Sequence, residues 1–306
     1  MKTFILLFSF IESKVGPLLS QLGIIVHFES FSCLVPVYGG DKPEWLNECL
    51  NSVCLLSSKK PDELVIVLDG PVSIEIENIV NRYSNILGGK CKILRNQVNK
   101  GLAFVLNQGL LACSYELVAR IDADDIVLEN RFEAQVEYFN QNSNVDILGG
   151  QCDIIDACGN IIGSKHVPID NNNIRDIIWS CPLIHPTVMY KKSKILSIGG
   201  YKEDLRRRQD YELWFRCAQN GMEIANLKDS LIKYRLVQSA KKKNGLQYNF
   251  KQSMIGYKGC QAMGYGLLPR IYVFYPLISS LTPQFLNRAL RNLYHYLDPR
   301  KEKENA

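Results

Sequence analysis

The chain has 306 residues, 46% hydrophobic and 22% charged, a globular composition with room for one large α/β domain and a smaller appendage. Its net charge of +5 is uneven: from Lys241 onward 11 Lys/Arg stand against 3 Asp/Glu, so a tail of +8 follows a body of −3. That asymmetry favours an anionic surface as the tail's partner, and a body without a basic, aromatic-interleaved stripe argues against nucleic acid.

Ten cysteines are scattered with no C-x-x-C pair, and they read as reduced thiols of a cytosolic protein. Four histidines without paired spacing exclude a histidine-rich metal centre. In residues 1–30, Thr3 to Ile11 and Gly23 to Phe28 are apolar runs, each too short to span a bilayer. With no A-x-A-like cleavage site, the segment reads as an extension lying on a membrane or against the body, or as an overcalled start.

From Phe31 the pattern becomes regular. Phe31 to Val37 is a predicted strand, and Pro43 opens a helix with Trp45, Leu46, Cys49, Leu50 and Val53 on its apolar face. Leu64 to Leu68 is a second strand, ending in Asp69-Gly70-Pro71; Ser73 then caps a helix to about Ile86. Cys91 to Leu94 is the third strand, Asn99-Lys100-Gly101 leads into a helix, and Leu117 to Ile121 is the fourth strand. Strands alternating with helices of this length imply βαβ crossovers and a parallel sheet covered on both faces.

The fourth strand ends in Asp122-Ala123-Asp124-Asp125, three carboxylates in four residues. Gathering like charges at a strand end costs free energy unless a cation sits among them, and a hard ion such as Mg²⁺ or Mn²⁺ suits oxygen ligands. The plainer reading is a solvated acidic turn leading a helix that begins near Glu129.

Beyond this motif the alternation loosens. Val145 to Gly150 is a short strand, Gln151 to Gly163 a hairpin about Cys158-Gly159-Asn160, and Ile184 to Tyr190 a strand or loop. A short helix ends at Gly199-Gly200, Gln209 to Asn220 is a helix, and Leu231 to Leu236 is the last strand. Lys241 to Gly245 reads as a linker, and Leu267 to Leu297 is rich in leucine and aromatics, interrupted by Pro276 and Pro283.

Taken together and in order, several of these stretches resemble family 2 of the glycosyltransferases, the nucleotide-sugar enzymes of GT-A fold. They are Ser32 to Tyr38, Leu64 to Gly70, Asn99-Lys100-Gly101, Ala119 to Asp125, and Gly199-Gly200-Tyr201 followed by Gln209-Asp210-Tyr211-Glu212-Leu213-Trp214. The resemblance covers about residues 31–236 and extends, more narrowly, to bacterial enzymes that build O-antigen or capsule repeat units. It implies a Rossmann-like, mixed but mainly parallel sheet flanked by helices. The implied division is an apolar extension (1–30), a glycosyltransferase domain (31–240, with a donor half to about 125), and a basic amphipathic helical tail (241–306).

The resemblance also assigns roles. Asp124 and Asp122 would hold a divalent metal, Mn²⁺ or Mg²⁺, against the donor diphosphate, with Asp122 also placed for the ribose. Pro36, Val37, Tyr38, Asp69, Lys100, Arg120 and Ala123 fall at donor-binding positions, and Asp210 at that of the general base. Two departures stand out: the chain reads Leu68-Asp69 where many members have two carboxylates, and Gln209 where the usual residue is Glu. A histidine that some members carry after the last strand is Val237 here.

Arg206-Arg207-Arg208 and His185 are candidate phosphate or acceptor contacts, each with a plainer alternative as a solvated charge run or a structural histidine. The chain lacks the Gln-x-x-Arg-Trp of processive synthases, so single addition is implied. The expectation is an inverting, metal-dependent transferase moving a hexose, glucose or galactose, from a UDP-sugar. The acceptor would be a lipid-linked saccharide such as N-acetylglucosamine on diphospho-undecaprenol, met at the inner face of the bacterial cytoplasmic membrane through peripheral contact of the tail. The alternatives are a non-catalytic nucleotide-sugar-binding protein of the same fold and, weakened by the lack of a Gly-rich phosphate loop, a nucleotidyltransferase.

Overall fold

The computed structural model describes residues 28, 30–236 and 245–282. The readings for the remainder of the N-terminal extension, for Val237 and most of the Lys241–Gly245 linker, and for the chain beyond 282 lie outside the described residues.

Strand β1 (Phe31–Tyr38) leads to helix α1 (Pro43–Asn51), whose last turn widens into a π-helical turn over Ser52–Leu56. Then follow β2 (Glu63–Asp69), α2 (Ile74–Leu87), β3 (Cys91–Arg95), α3 (Leu102–Ala112) and β4 (Leu117–Arg120). The Ser73 hydroxyl accepts from the Ile76 amide, giving α2 the N-cap that its sequence suggests. β1, β2, β3 and β4 pair in parallel, as the βαβ alternation requires.

The second half comprises β5 (Ile126–Val127), α4 (Arg131–Gln141), β6 (Val145–Ile155), β7 (Ile161–Lys165), α5 (Asn171–Asp176), β8 (Met189–Lys191) and α6 (Lys192–Ser197). It ends with α7 (Gln209–Gln219), β9 (Glu223–Arg235), α8 (Leu246–Ala262), α9 (Leu267–Tyr272) and α10 (Tyr275–Leu281). The sheet order is β3-β2-β1-β4-β8-β6-β9-β5, with β7 on β6. β8 runs antiparallel to both β4 and β6, and β5 antiparallel to β9, so the sheet is mixed and not uniformly parallel.

Two strands are longer than their apolar runs. β6 continues to Ile155 and β9 begins at Glu223, because the two pair along almost their whole length, from Val145 with Glu223 to Ile155 with Arg235. Backbone pairing carries both strands through polar positions such as Gln151 and Asn226. α4 starts at Arg131, two residues after Glu129, and α8 falls within the tail expected to be helical.

A core lies on each face of the sheet. Leu64, Ile66 and Leu68 of β2 point into one, with Leu46, Leu50 and Phe132; Val65 and Val67 point into the other, with Val105, Leu106 and Trp214. Burial on both faces explains why β1 and β2 are apolar without alternation. α3 approaches closely at Gly109, where a Cβ would collide with Leu34 and meet Val67 at 3.0 Å. Parallel strands with covered faces bring their carboxyl ends to one edge, where open α/β sheets bind ligands.

Candidate active site

At that edge β4 hands the chain to the acidic turn, with the Ile121 amide still donating to Leu34 O (3.2 Å) and the Asp125 amide closing back on Asp122 O (3.2 Å). One oxygen from each of Asp122, Asp124 and Asp125 lies within 4.8 Å of the others. Arg120, buried in β4, forks onto the Asp122 carboxylate, with Nη1 2.9 Å from Oδ2 and Nη2 on Oδ1. Beneath it Arg131 donates to the Arg120 carbonyl at 2.8 Å, and burial pushes its own guanidinium down to about 10.

Asp125 is fully buried. Its Oδ1 accepts from the Arg235 amide at 2.8 Å, and its Oδ2 has no hydrogen-bond partner. Burial, then Asp122, pushes Asp124 up to about 6. Burial, with the charges of Asp124 and Asp122 adding to it, pushes Asp41 up to about 7 against the hydrogen bond it accepts from the Tyr38 amide. These carboxylates crowd one another beyond what Arg120 neutralises, and an all-oxygen set with a buried orphan oxygen fits a hard divalent cation.

A cavity of about 500 Å³ opens above the cluster. Pro36, Val37, Tyr38, Asp69, Asp122, Ala123, Asp124, Arg206 and Arg207 line it together, from four separate segments of the chain. Asp69 orders its far wall: its two carboxylate oxygens accept from the amides of Lys100 (2.7 Å) and Gly101 (2.9 Å). The neighbouring Gly70 takes φ +90° with a would-be Cβ 2.8 Å from the Asn99 nitrogen, so the loop crossing admits glycine alone.

Other candidates are placed differently. Lys100 lines no part of the cavity; its Nζ lies 4.2 Å over the Phe104 ring, and it meets the site through its amide. Arg120 supports Asp122 from below. His185 is buried, its Nε2 2.9 Å from Tyr201 Oη and its ring edge-on to Trp214, so it is off the cavity wall. Burial, with Arg120 adding to it, holds its imidazole well below its ordinary value.

Asp210 sits half-buried in the first turn of α7, where helix amides favour a carboxylate. It is close enough to add to the field at Arg120, Tyr201 and Arg208. Arg208, the residue before the helix, is in the left-handed region at φ 62°, which few non-glycine residues adopt. Gln209 beside Asp210 is buried, with its side-chain oxygen unpartnered.

Two residues escape a reading by motif. Asp41 reaches the cavity from the Tyr38-Gly39-Gly40 turn, its only signal being a carboxylate soon after a strand end. Arg235, at the end of β9, donates to the Asp124 carbonyl (2.9 Å), pairs with Glu48 (2.5 Å) and lies 5.1 Å over Trp45. It ties the acidic turn to α1.

Comparison with known proteins agrees with this geometry. The model for "Glycosyl transferase family 2" matches residues 32–212. The amylovoran biosynthesis glycosyltransferase AmsE of Erwinia amylovora is 37% identical over 206 residues, 67% of this chain and 76% of its own. A UDP-Gal:alpha-D-GlcNAc-diphosphoundecaprenol beta-1,3-galactosyltransferase of Escherichia coli is 33% identical over 220 residues, 71% of this chain and 78% of its own. In fold, the chain is similar to S. aureus TarS 1-349 crystallised with UDP-GlcNAc, with TM-score 0.61, 18% identity, and coverage of 82% of this chain and 72% of that one. The acidic turn at the strand ends, the cavity above it and the family match agree: this chain is a glycosyltransferase and belongs to glycosyltransferase family 2.

Proposed function

We propose that the enzyme transfers a single hexose, glucose or galactose, from a UDP-sugar to a lipid-linked saccharide in O-antigen or other surface polysaccharide synthesis, with inversion to a β-linkage. The observation that carries this reading is the Arg120–Asp122–Asp124 constellation at the floor of a cavity of about 500 Å³. The galactosyltransferase relative, whose name specifies UDP-Gal and an N-acetylglucosamine diphospholipid, supports the donor and acceptor classes.

Asp122 and Asp124 would hold Mn²⁺ or Mg²⁺, which supplies charge neutralisation to the departing diphosphate. Arg120 fixes the rotamer of Asp122. Pro36, Val37 and Tyr38 form the nucleoside wall, and Asp69 keeps the 99–101 loop in place opposite. Asp210 takes the proton from the acceptor hydroxyl as its oxygen bonds to the anomeric carbon and the bond to the diphosphate oxygen breaks. One carboxylate base with no opposed nucleophile gives a single in-line displacement, hence a β-product from an α-donor.

The test is nucleoside diphosphate release from UDP-, GDP- and dTDP-sugars on a synthetic N-acetylglucosamine-diphospho-lipid, with Mn²⁺ or with EDTA. Asp210→Asn is expected to lower kcat by about 10²- to 10⁴-fold, the usual worth of a positioned base, while UDP still binds. Full turnover by that variant, or an α-linked product, overturns the assignment. Donor binding without turnover on any acceptor favours the binding-protein alternative.

A further inference from the structure

A second cavity, of about 290 Å³, adjoins the first, and Arg206 and Arg207 line both. Its walls are the 204–208 loop and one face of α8, from which Tyr248, Lys251 and Ile255 project. Four cations, Arg206, Arg207, Arg208 and Lys251, face it with one carboxylate, Asp204. A hollow lined by one sign of charge focuses its field and draws in anions.

Its cations are set in place. Arg208 Nε meets Tyr248 Oη at 3.3 Å, and the Arg207 guanidinium lies 5.3 Å over the same ring, so Tyr248 holds two arginines from below. Arg206 reaches the other way, with Nη1 3.4 Å from Asn99 Oδ1 in the donor wall. Arg208 lines this cavity and is close enough to Asp210 to feel its charge. The two cavities therefore share the arginine loop; Asp210 lines neither of them and follows that loop in the first turn of α7.

The family match ends at residue 212, whereas α8 begins at Leu246. Half of the second cavity thus comes from outside the segment common to the family. A site for the donor diphosphate, which every member needs, has no reason to depend on that helix. A site for an anion on the acceptor does.

We propose that this second cavity is the subsite for the acceptor's diphosphate: guanidinium groups of Arg207 and Arg208 and the Lys251 ammonium bind the phosphates while the attached sugar lies toward Asp210. Planar guanidinium forks suit phosphate oxygens, and each charge-assisted contact is worth about tenfold in affinity. The inference rests on the lipid-linked acceptor reading above and deepens it, by naming which residues read the linkage beneath the sugar.

Two measurements separate the inference from the reading it rests on. In the first, the full chain saturated with UDP is titrated calorimetrically with geranyl diphosphate and with inorganic pyrophosphate. Binding is expected, weakened about tenfold by Lys251→Gln and by Arg208→Gln. Equal affinity for the two probes identifies the diphosphate charge as what is bound; tighter geranyl diphosphate identifies the lipid-linked form; binding of neither overturns the subsite. In the second, kcat/KM is compared for N-acetylglucosamine presented on a diphospho-lipid and on an uncharged alkyl glycoside. Both variants should lower that ratio about tenfold without raising the KM for the UDP-sugar. Turnover of the diphospho-lipid with an unchanged ratio overturns the subsite and leaves the proposed function standing. Diphosphate binding lost in the variants, with no wild-type turnover, does the reverse.

Discussion

Asp41, Asp124 and Asp125 show what crowding and burial do to ordinary carboxylates. Burial and mutual repulsion push Asp124 up to about 6 and Asp41 up to about 7, against about 3.9 in an unfolded chain. Without metal, the folded state keeps protons that the unfolded chain releases as pH rises past about 4. These groups therefore cost stability increasingly between about pH 4 and about pH 7. A bound divalent cation offsets that cost only where the carboxylates are ionised. The rise in melting temperature on exchanging EDTA for Mn²⁺ is thus expected to be larger at about pH 7.5 than at about pH 5. Equal shifts at both would contradict it.

At the scale of elements, two contacts decide whether the site is well formed. α3 reaches the sheet only because Gly109 has no side chain against Leu34 and Val67. Gly109→Val overpacks that contact and is expected to cost about 1–3 kcal/mol, read as a lower urea midpoint. Arg235 at the end of β9 braces the acidic turn through the Asp124 carbonyl and Glu48. Groups that orient metal ligands from behind are worth about 10- to 100-fold in metal affinity. Arg235→Met is expected to weaken Mn²⁺ binding by that factor, measured by titration, while circular dichroism shows the sheet intact. Neither role was legible in advance, since Gly109 sits in an unremarkable helix and Arg235 in a strand of alternating character. Both depend on what packs opposite.

For the whole molecule, the described part of the tail ends in α9 and α10, and no helix among the described residues is long and apolar enough to cross a membrane. α9 leaves Leu267 73% and Leu268 70% exposed, with Arg270 on the same short helix, in a tail whose net charge is +8. Exposed apolar side chains in a basic tail fit the interface of an anionic bilayer, the peripheral contact expected from the sequence. The full chain is expected to co-sediment with vesicles containing phosphatidylglycerol, less with phosphatidylcholine alone, and less as salt is raised. Leu267→Glu with Leu268→Glu should weaken it; no sedimentation with either vesicle would refute the attachment.

Local patterns in the sequence determined the fold class, the order of strands β1 to β4, the acidic turn that closes them and the family. Each is written in near neighbours, as apolar runs, caps, glycines and a carboxylate cluster that survive any arrangement of the rest. Tertiary structure alone decided that β8 enters antiparallel, that β6 and β9 extend through polar residues by pairing with each other, and that His185 lies in the core and not on the cavity wall. It also brought Asp41 to the first cavity, α8 to the second, and Arg235 against the acidic turn. Those outcomes join residues as far apart as Glu48 and Arg235, and which partner a side chain finds at such separation depends on the packing of everything between them.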